Sequence, residues 1–193
     1  MAEPSFRSSA TASLPGRSSR TAATQLLACE AVATEAERCA HFRIRHQVFV
    51  IEQGMFGGSY GGIGGAGGDD TDVHDDDPAT IHVIGRAAET ICGTVRLYPL
   101  RPETGADGRW KGDRLAVLDS YRHLGLGAPL VRFAVGAAAR LGGREMEAFI
   151  QPANVAFFRW LGWERTGDLV DYAGLPHQRM LIDLTNPDLT RPT

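Results

Sequence analysis

Residues 114–141 constrain the fold most, because they read as a short strand, a glycine-bearing turn and an amphipathic helix. The strand is R-L-A-V-L, the turn contains Gly125 and Gly127, and apolar residues recur at helical spacing over 130–141. Two further glycines end the helix. A strand that leads through such a turn into a helix is typical of a protein that mixes strands and helices.

The turn is also a predicted anion site. Its glycines let the backbone approach a ligand closely, and the N–H groups at a helix N-terminus attract negative charge. Arg122 adds a positive charge, and the first helical turn holds no Asp or Glu. The predicted ligand is a pyrophosphate, held by the backbone of His123, Leu124, Gly125, Leu126, Gly127 and Ala128. A simple tight turn remains the alternative explanation for two glycines.

Two common phosphate-binding motifs do not fit this turn. The P-loop pattern G-x-x-x-x-G-K-[ST] is absent from the sequence. The dinucleotide fingerprint needs three glycines in a parallel βαβ unit near the start of a domain, whereas this turn follows three predicted strands. The pyrophosphate therefore belongs to another kind of cofactor.

The patterning of the whole chain predicts a mixed α/β fold. We predict strands over 26–32, 80–86, 91–100, 114–118, 146–150, 163–172 and 178–184, and helices over 35–52, 130–141 and 153–161. Residues 101–112 are predicted to form a loop, since they contain Pro102, Gly105 and Gly108.

The first helix begins with a capping box, T-E-A-E, opened by Thr34. Its predicted apolar stripe consists of Ala36, Ala40, Ile44, Val48 and Ile51. Another face of the helix carries His41, Arg45 and Glu52.

A Gly/Asp-rich segment, 54–77, follows this helix. It holds nine glycines and then the acidic run D-D-T-D-V-H-D-D-D. Ordering so many glycines costs much conformational entropy, so we predict a mobile loop with solvated carboxylates that could act as a lid. Its negative charge would attract a cationic substrate at short range, and the spacing of its acids matches no EF-hand loop.

Size and composition indicate one soluble domain. We predict a disordered tail over 1–23, a single domain over 24–186 and a C-terminal tail over 187–193. No apolar run reaches 18 residues, and the net charge of −3 argues against nucleic-acid binding. Of the 20 basic residues, all but Lys111 are arginine.

The three cysteines predict a reducing, cytoplasmic setting. They form no C-x-x-C pair, their odd number leaves a free thiol, and no Cys/His cluster indicates a metal. Cys92 lies in an apolar run, where a buried thiol is expected. His82 alternates with apolar neighbours and is interpreted as a structural strand histidine.

Four motifs resemble one family. The pattern Y-R-x-x-G-x-G after R-L-A-V is similar to the acyl-CoA-binding motif R/Q-x-x-G-x-G/A of GCN5-related N-acetyltransferases (GNAT), with Arg122, Gly125 and Gly127 at the matching positions. N-V-A-F-F-R-W-L-G-W resembles the second CoA motif of the family, with Asn154 and Phe157 matching.

Two further motifs resemble a subgroup of this family. They are R-I-R-H-Q-V-F-V-I-E-Q in the first helix, similar to R-x-x-V-F-V-x-E-Q, and the ending G-L-P-H-Q-R-M. The resemblance covers about residues 25–184 in the right order. It implies the GNAT fold, a mixed and mostly antiparallel central sheet flanked by helices.

The resemblance also implies how acetyl-CoA would bind, without any metal. The fourth strand would separate from the fifth, and the backbone of Leu115 and Val117 would bond the pantetheine arm. Asn154 and Phe157 would contact the cofactor from the short helix after the fifth strand. The alternative for Asn154 is an early-helix residue that caps its own backbone.

Acetyl transfer to an amine needs an oxyanion donor, a proton acceptor and a leaving thiolate. A backbone N–H near Val117 is the candidate oxyanion donor. The family often protonates the thiolate with a tyrosine, but the corresponding position here is Phe158. Tyr172 is a further acid candidate, and Asp119 is expected to cap the turn.

Three residues are candidate bases. His177 lies in G-L-P-H, on a turn stiffened by proline, and Glu52 ends the first helix beside the mobile loop. Glu147 lies in the fifth predicted strand, where it could act through water or bind a cationic amine.

The predicted function is acetyl transfer from acetyl-CoA to the amine of a small metabolite by direct attack. One alternative is an acyl-CoA-binding module without turnover, and another is an enzyme like the acyl-homoserine-lactone synthases. Neither nucleic acid nor membrane is an expected partner. The sequence does not fix the oligomeric state, and a homodimer is one option.

Overall fold

The computed structural model describes residues 26–56, 70–101, 107–172 and 174–190. It contains one seven-stranded sheet in the order β1-β2-β3-β4-β5-β7-β6. The strands are β1 (Leu27–Ala31), β2 (Ile81–Ala87), β3 (Thr90–Pro99), β4 (Arg109–Val117), β5 (Glu145–Ile150), β6 (Glu164–Tyr172) and β7 (Leu175–Asp183). All paired neighbours are antiparallel except β4 and β5.

Helices lie on both faces of this sheet. They are α1 (Glu35–Arg45), α2 (Gly127–Arg140), α3 (Val155–Trp160) and α4 (Pro187–Thr190). A π-helical segment, His46–Glu52, continues α1, and 3₁₀ segments at Asp119–Leu124 and Pro152–Asn154 precede α2 and α3. The predicted mixed α/β fold is therefore confirmed.

Helix α1 starts as its capping box requires. Thr34 Oγ1 accepts a hydrogen bond from the Glu37 N–H at 3.2 Å, and the Glu37 carboxylate accepts one from the Thr34 N–H at 3.1 Å. The predicted stripe is only partly right, because Ile44 and Val48 are buried whereas Ile51 is 62% exposed. The π-helical segment widens the turn after Arg45, which moves later side chains off the buried face.

Two of the three polar residues on the other face of this helix are buried. His41 and Arg45 have no exposed surface and find hydrogen-bond partners inside the protein, whereas Glu52 is exposed. Apolar periodicity alone therefore does not identify all the residues by which α1 docks on the sheet.

Strand β4 is longer than predicted. The prediction of a loop over 101–112 is wrong from Arg109 onward, since β4 runs from Arg109 to Val117. Trp110, Gly112, Arg114 and Ala116 are its buried residues. The charged and glycine residues hid this alternation from a search for apolar strands.

Strand β4 also carries a bulge. Its register with β3 shifts between Thr94 and Arg96, and opposite this shift Arg114 has φ +53°. A bulge bends a strand and re-aims its side chains. Pairing of β4 with β5 is limited, within the described strands, to residues 109–111 against 145–147. The two strands separate beyond that point.

Helix α2 packs closely on β2 and β3. An added Cβ at Gly93 would lie 2.8 Å from Leu130 Cδ1, so only glycine allows the helix this near. Leu126 and Leu130 are fully buried in the core between helix and sheet. The core therefore fixes where α2 begins.

The predicted boundaries of the tails and of the Gly/Asp-rich loop can be compared with the structure only in part. The predicted tail 1–23 lies outside the described residues, as do 57–69 of the predicted loop. Where a C-terminal tail was predicted, Pro187–Thr190 form α4, and Leu189 packs against the turn at Gly162. None of the helices within the described ranges is long and apolar enough to cross a bilayer.

Candidate functional site

A cleft of about 130 Å³ opens where β4 and β5 separate. It is lined on the α2 side of the sheet by Val131, Ala134, Met146, Ala148 and Phe158, and on the α1 side by Phe49, Asp113, Phe149 and Tyr172. Side chains on opposite faces of the sheet thus line one space. The cleft therefore crosses the sheet, and two molecules could meet in it from opposite faces.

The predicted anion turn lies beside this cleft. Gly125 has φ +76°, and no heavy atom of the described residues lies within 4 Å of where its Cβ would be. At Gly127 an added Cβ would be 3.6 Å from Phe157 Cζ. No side chain in the described part of the chain caps α2, whose first turn holds no acid. The helix N-terminus is therefore open to an anion.

Arg122 fastens the turn rather than offering a free charge. Its Nε donates to the Val117 carbonyl at 3.0 Å, and its Nη1 donates to Asp119 at 3.1 Å. Its Nη2 lies 2.5 Å from Glu52 Oε1. Two carboxylates thus compensate its charge. The Val117 carbonyl ties the turn to the end of β4, and Glu52 ties it to the π-helical segment.

Asn154 and Phe157 lie where the second motif predicted, at the start of the short helix. Asn154 lines the cleft, and its side chain makes no capping hydrogen bond with the described residues. The self-capping alternative for Asn154 is therefore not seen. Phe157 faces Gly127, which joins α3 to the anion turn.

His177 is the candidate base that the structure brings to the cleft. It is 4% exposed, lines the cleft, and its Nδ1 lies 2.9 Å from the Leu175 carbonyl. Because a carbonyl can only accept, Nδ1 carries the hydrogen and Nε2 of the neutral ring keeps its lone pair. That lone pair could take a proton.

The other two candidate bases are ion-paired and are not among the residues that line the cleft. Glu52 pairs with Arg122, as described above. Glu147 accepts from Arg179 Nε at 3.0 Å and from its Nη2 at 2.7 Å. A guanidinium group thus occupies the carboxylate of each residue.

A buried ion network that the sequence patterns did not predict borders the cleft. It joins α1, β3 and β4 to the acidic segment, and consists of Arg45, Arg96, Arg114, Asp70, Asp72, Asp75 and Asp113. The prediction of solvated carboxylates is wrong here, since Asp70 and Asp75 are 1% and 4% exposed. Buried arginines need such partners, and the run D-D-T-D-V-H-D supplies them.

The network holds its carboxylates charged. Burial alone would raise the pKa of Asp72, Asp75 and Asp113, but hydrogen bonds from Arg96 or Arg45 hold all three below their usual values. One sequence feature does indicate such a network: the first helix and strands β3 and β4 contain several arginines, and a single acidic run follows that helix. The pairing itself depends on long-range contacts.

Tyr172 connects the network to the cleft. Its hydroxyl accepts from Arg114 Nη1 at 3.3 Å, and its ring stacks on Phe149 with centroids 5.6 Å apart. The His177 ring meets it edge-on at 5.3 Å. Phe158, by contrast, packs edge-on against Trp163 at 5.5 Å and has no hydroxyl to donate.

His82 and Cys92, which we interpreted as structural, are buried and are not among the residues that line the cleft. His82 lies 3.2 Å from His41, ring nitrogen to ring nitrogen, and packs under α1. Cys92 is fully buried, and burial raises the pKa of its thiol. Among the described residues, no cluster of His, Cys, Asp and Glu could hold a metal ion.

A sequence profile of the Acetyltransferase (GNAT) family matches residues 59–163, more than half of the chain. The chain therefore belongs to the GNAT family of acyltransferases, whose members use acyl-CoA. The narrower motif subgroup has no such support. A comparison with curated protein sequences gives no significant match.

Solved structures share the architecture. A putative N-acetyltransferase from Lactobacillus plantarum is 24% identical, with a TM-score of 0.65 over 82% of this chain and 98% of that one. FeeM, an N-acyl amino acid synthase from uncultured soil microbes, is 14% identical, with 0.64 over 83% and 92%. The CoA-dependent acyl-homoserine lactone synthase BjaI is 17% identical, with 0.64 over 86% of each chain. These likenesses establish the fold.

Proposed function

We propose that the protein transfers the acetyl group of acetyl-CoA to the amine of a small metabolite by direct attack. The observation that carries this proposal is the cleft that crosses the sheet where β4 and β5 separate. In this cleft, a thioester that enters from the α2 side can contact an amine that enters from the α1 side.

In this proposal the cofactor lies along β4 and the anion turn. The backbone of Leu115 and Val117 bonds the pantetheine arm as an added strand would. The turn from Arg122 to Ala128 holds the pyrophosphate, and Asn154 and Phe157 contact the cofactor from the other side. The uncapped N-terminus of α2 and the open backbone at Gly125 support this arrangement.

The chemistry needs one proton transfer and one bond exchange. The amine nitrogen attacks the thioester carbon while its proton passes to His177 Nε2. A backbone N–H near Val117 stabilises the oxyanion, and the C–S bond then breaks. In this proposal CoA leaves as the thiolate, because Phe158 has no proton to give; the Tyr172 hydroxyl, which lines the cleft, is the alternative acid. The tautomer set by the Leu175 carbonyl supports His177 over Glu52 and Glu147.

The test is CoA release from acetyl-CoA in the presence of a panel of amines, with product masses measured. We expect amine-dependent release and an acetylated product. The binding-module alternative predicts that acetyl-CoA raises the melting temperature without amine-dependent release. At 100 times its dissociation constant, the ligand should stabilise the fold by about 2.7 kcal/mol. If acetyl-CoA causes no thermal shift, both hypotheses fail.

A second candidate is a reaction like that of the acyl-homoserine lactone synthases. The architecture shared with BjaI, whose structure contains S-adenosylmethionine and isopentyl-CoA, is the observation that favours it. Adding these two compounds to the same assay separates the candidates. A lactone product would replace the proposed acetyl transfer.

A further inference from the structure

Lys111, the only lysine of the chain, stands at the point where β4 and β5 separate. It occupies the last described pair of the two strands, opposite Glu147. Its ammonium nitrogen lies 4.7 Å from the ring centre of Phe149 and 5.4 Å from that of Tyr172. Both rings line the cleft on the α1 side. Lys111 is not itself among the residues that line the cleft, but its ammonium rests against two rings that do.

The other charged groups on this wall already have partners. Arg96 donates to both oxygens of Asp113, at 2.8 and 2.7 Å, and Arg179 holds Glu147. Arg114 is paired with Asp72 at 2.9 Å. Among the described residues, no carboxylate forms an ion pair with Lys111. Ring faces stabilise an ammonium but leave its N–H donors available to a ligand.

A competing explanation is that Lys111 only balances charge. The buried network has four aspartates and three arginines, which leaves one negative charge in excess. Lys111 does help to hold the pKa of Asp113 below its usual value. Yet both Asp113 oxygens are bonded to Arg96, and the ammonium rests on the rings instead. Charge balance therefore does not explain its position.

We propose that Lys111 binds a carboxylate of the acceptor, so that the acceptor is an amino acid rather than a simple amine. This inference rests on the proposed function. Both groups contact the Tyr172 ring, since the His177 ring is 5.3 Å and the Lys111 ammonium 5.4 Å from its centre. In this proposal the acceptor lies against Tyr172, with its amine toward His177 and its carboxylate toward Lys111.

The test compares amino acids with their carboxamides as acceptors, with rates expressed per neutral amine because the two amines differ in pKa. We expect the wild-type protein to prefer the carboxylate form. Lys111→Met keeps the length of the side chain and its contact with Phe149 but removes the charge. It should lower kcat/KM for the amino acid about tenfold or more and leave the carboxamide within about twofold.

Two matched variants complete the design. Lys111→Arg should keep the preference for the carboxylate form, because it keeps the positive charge. Arg109→Met removes a cation two residues away on the same strand, one that pairs with Asp107 rather than with the cleft rings, and should leave the preference unchanged. If Lys111→Met slows both acceptors equally, or the wild-type protein has no preference, the Lys111 inference is wrong although the proposed function stands. If neither acceptor class promotes CoA release, the proposed function fails and the inference with it.

Discussion

At the scale of single residues, Gly125 offers a test with a built-in control. Gly125 and Gly142 have φ +76° and +82°, and neither would meet a heavy atom of the described residues within 4 Å of an added Cβ. Valine at either position should therefore cost a similar 1–2 kcal/mol, roughly the strain of a left-handed residue. Only Gly125 lies on the anion turn.

We therefore expect Gly125→Val to abolish CoA binding and Gly142→Val to preserve it. Isothermal titration with CoA measures the difference, and urea unfolding verifies that the two variants are equally stable. Equal CoA affinities in both folded variants would place the phosphate site elsewhere.

His177 is the second residue-scale test. Removing a general base typically lowers the rate by about 10²–10⁴-fold, so His177→Gln should reduce kcat by that amount without changing CoA affinity. Glu52→Gln and Glu147→Gln serve as comparisons, because both carboxylates are ion-paired. If His177→Gln turned over within about threefold of the wild-type rate, His177 would not be the general base, and Glu52, Glu147 or water would accept the proton instead.

At the scale of elements, the buried network ties α1, β3 and β4 to the acidic segment. Arg96→Met should destabilise the protein by about 3–5 kcal/mol, because it leaves buried carboxylates without their cation. Arg86→Met is the matched control on β2, since its pairs with Glu30 and Glu37 are partly exposed and pairs of that kind contribute little to stability. Urea denaturation of both variants measures the contrast, and equal losses would contradict a structural role for the network.

The network also explains how far the sequence could predict the structure. The glycine turn, α2 and the capping box at Thr34 were predictable, because neighbours in the sequence determine them. The position of His177 at the cleft followed from the resemblance alone. The burial of Arg45 with Asp70 could not be predicted from the sequence, because the two residues are 25 positions apart and no local pattern pairs them. Likewise, β4 contains charged residues, such as Asp113 and Arg114, whose partners are known only from the fold, so its full length could not be predicted.

At the scale of the whole molecule, the buried histidines make stability depend on pH. Burial, together with the neighbouring Arg45 guanidinium, lowers the pKa of His41 to about 3. Burial also lowers the pKa of His82, which contacts His41. In the unfolded chain the pKa of a histidine is about 6.5. Between these values the unfolded state binds more protons than the folded state.

The sign of the effect follows from that difference. Stability rises with pH where the unfolded state holds more protons, so it is fully present above about pH 6.5 and is lost as the pH falls. For His41 alone the loss is about 1.4 kcal/mol per pH unit below 6.5, or about 2 kcal/mol by pH 5. The aspartates of the network, with pKa values held low, add their own loss only near and below their usual value of 3.8.

Urea unfolding between pH 5 and pH 7.5 therefore isolates the histidines. We expect the free energy of unfolding to fall with acidification in this range, and His41→Gln to flatten the dependence by about one proton. His46→Gln is the matched control, because His46 is exposed and follows the same helix. An unchanged pH dependence in His41→Gln would mean that the folded protein accommodates a charged imidazole beneath α1. His41 Nδ1 and His82 Nε2 already donate to the Val83 and Asp75 carbonyls, so the added proton would lie between His41 Nε2 and His82 Nδ1, which are 3.2 Å apart.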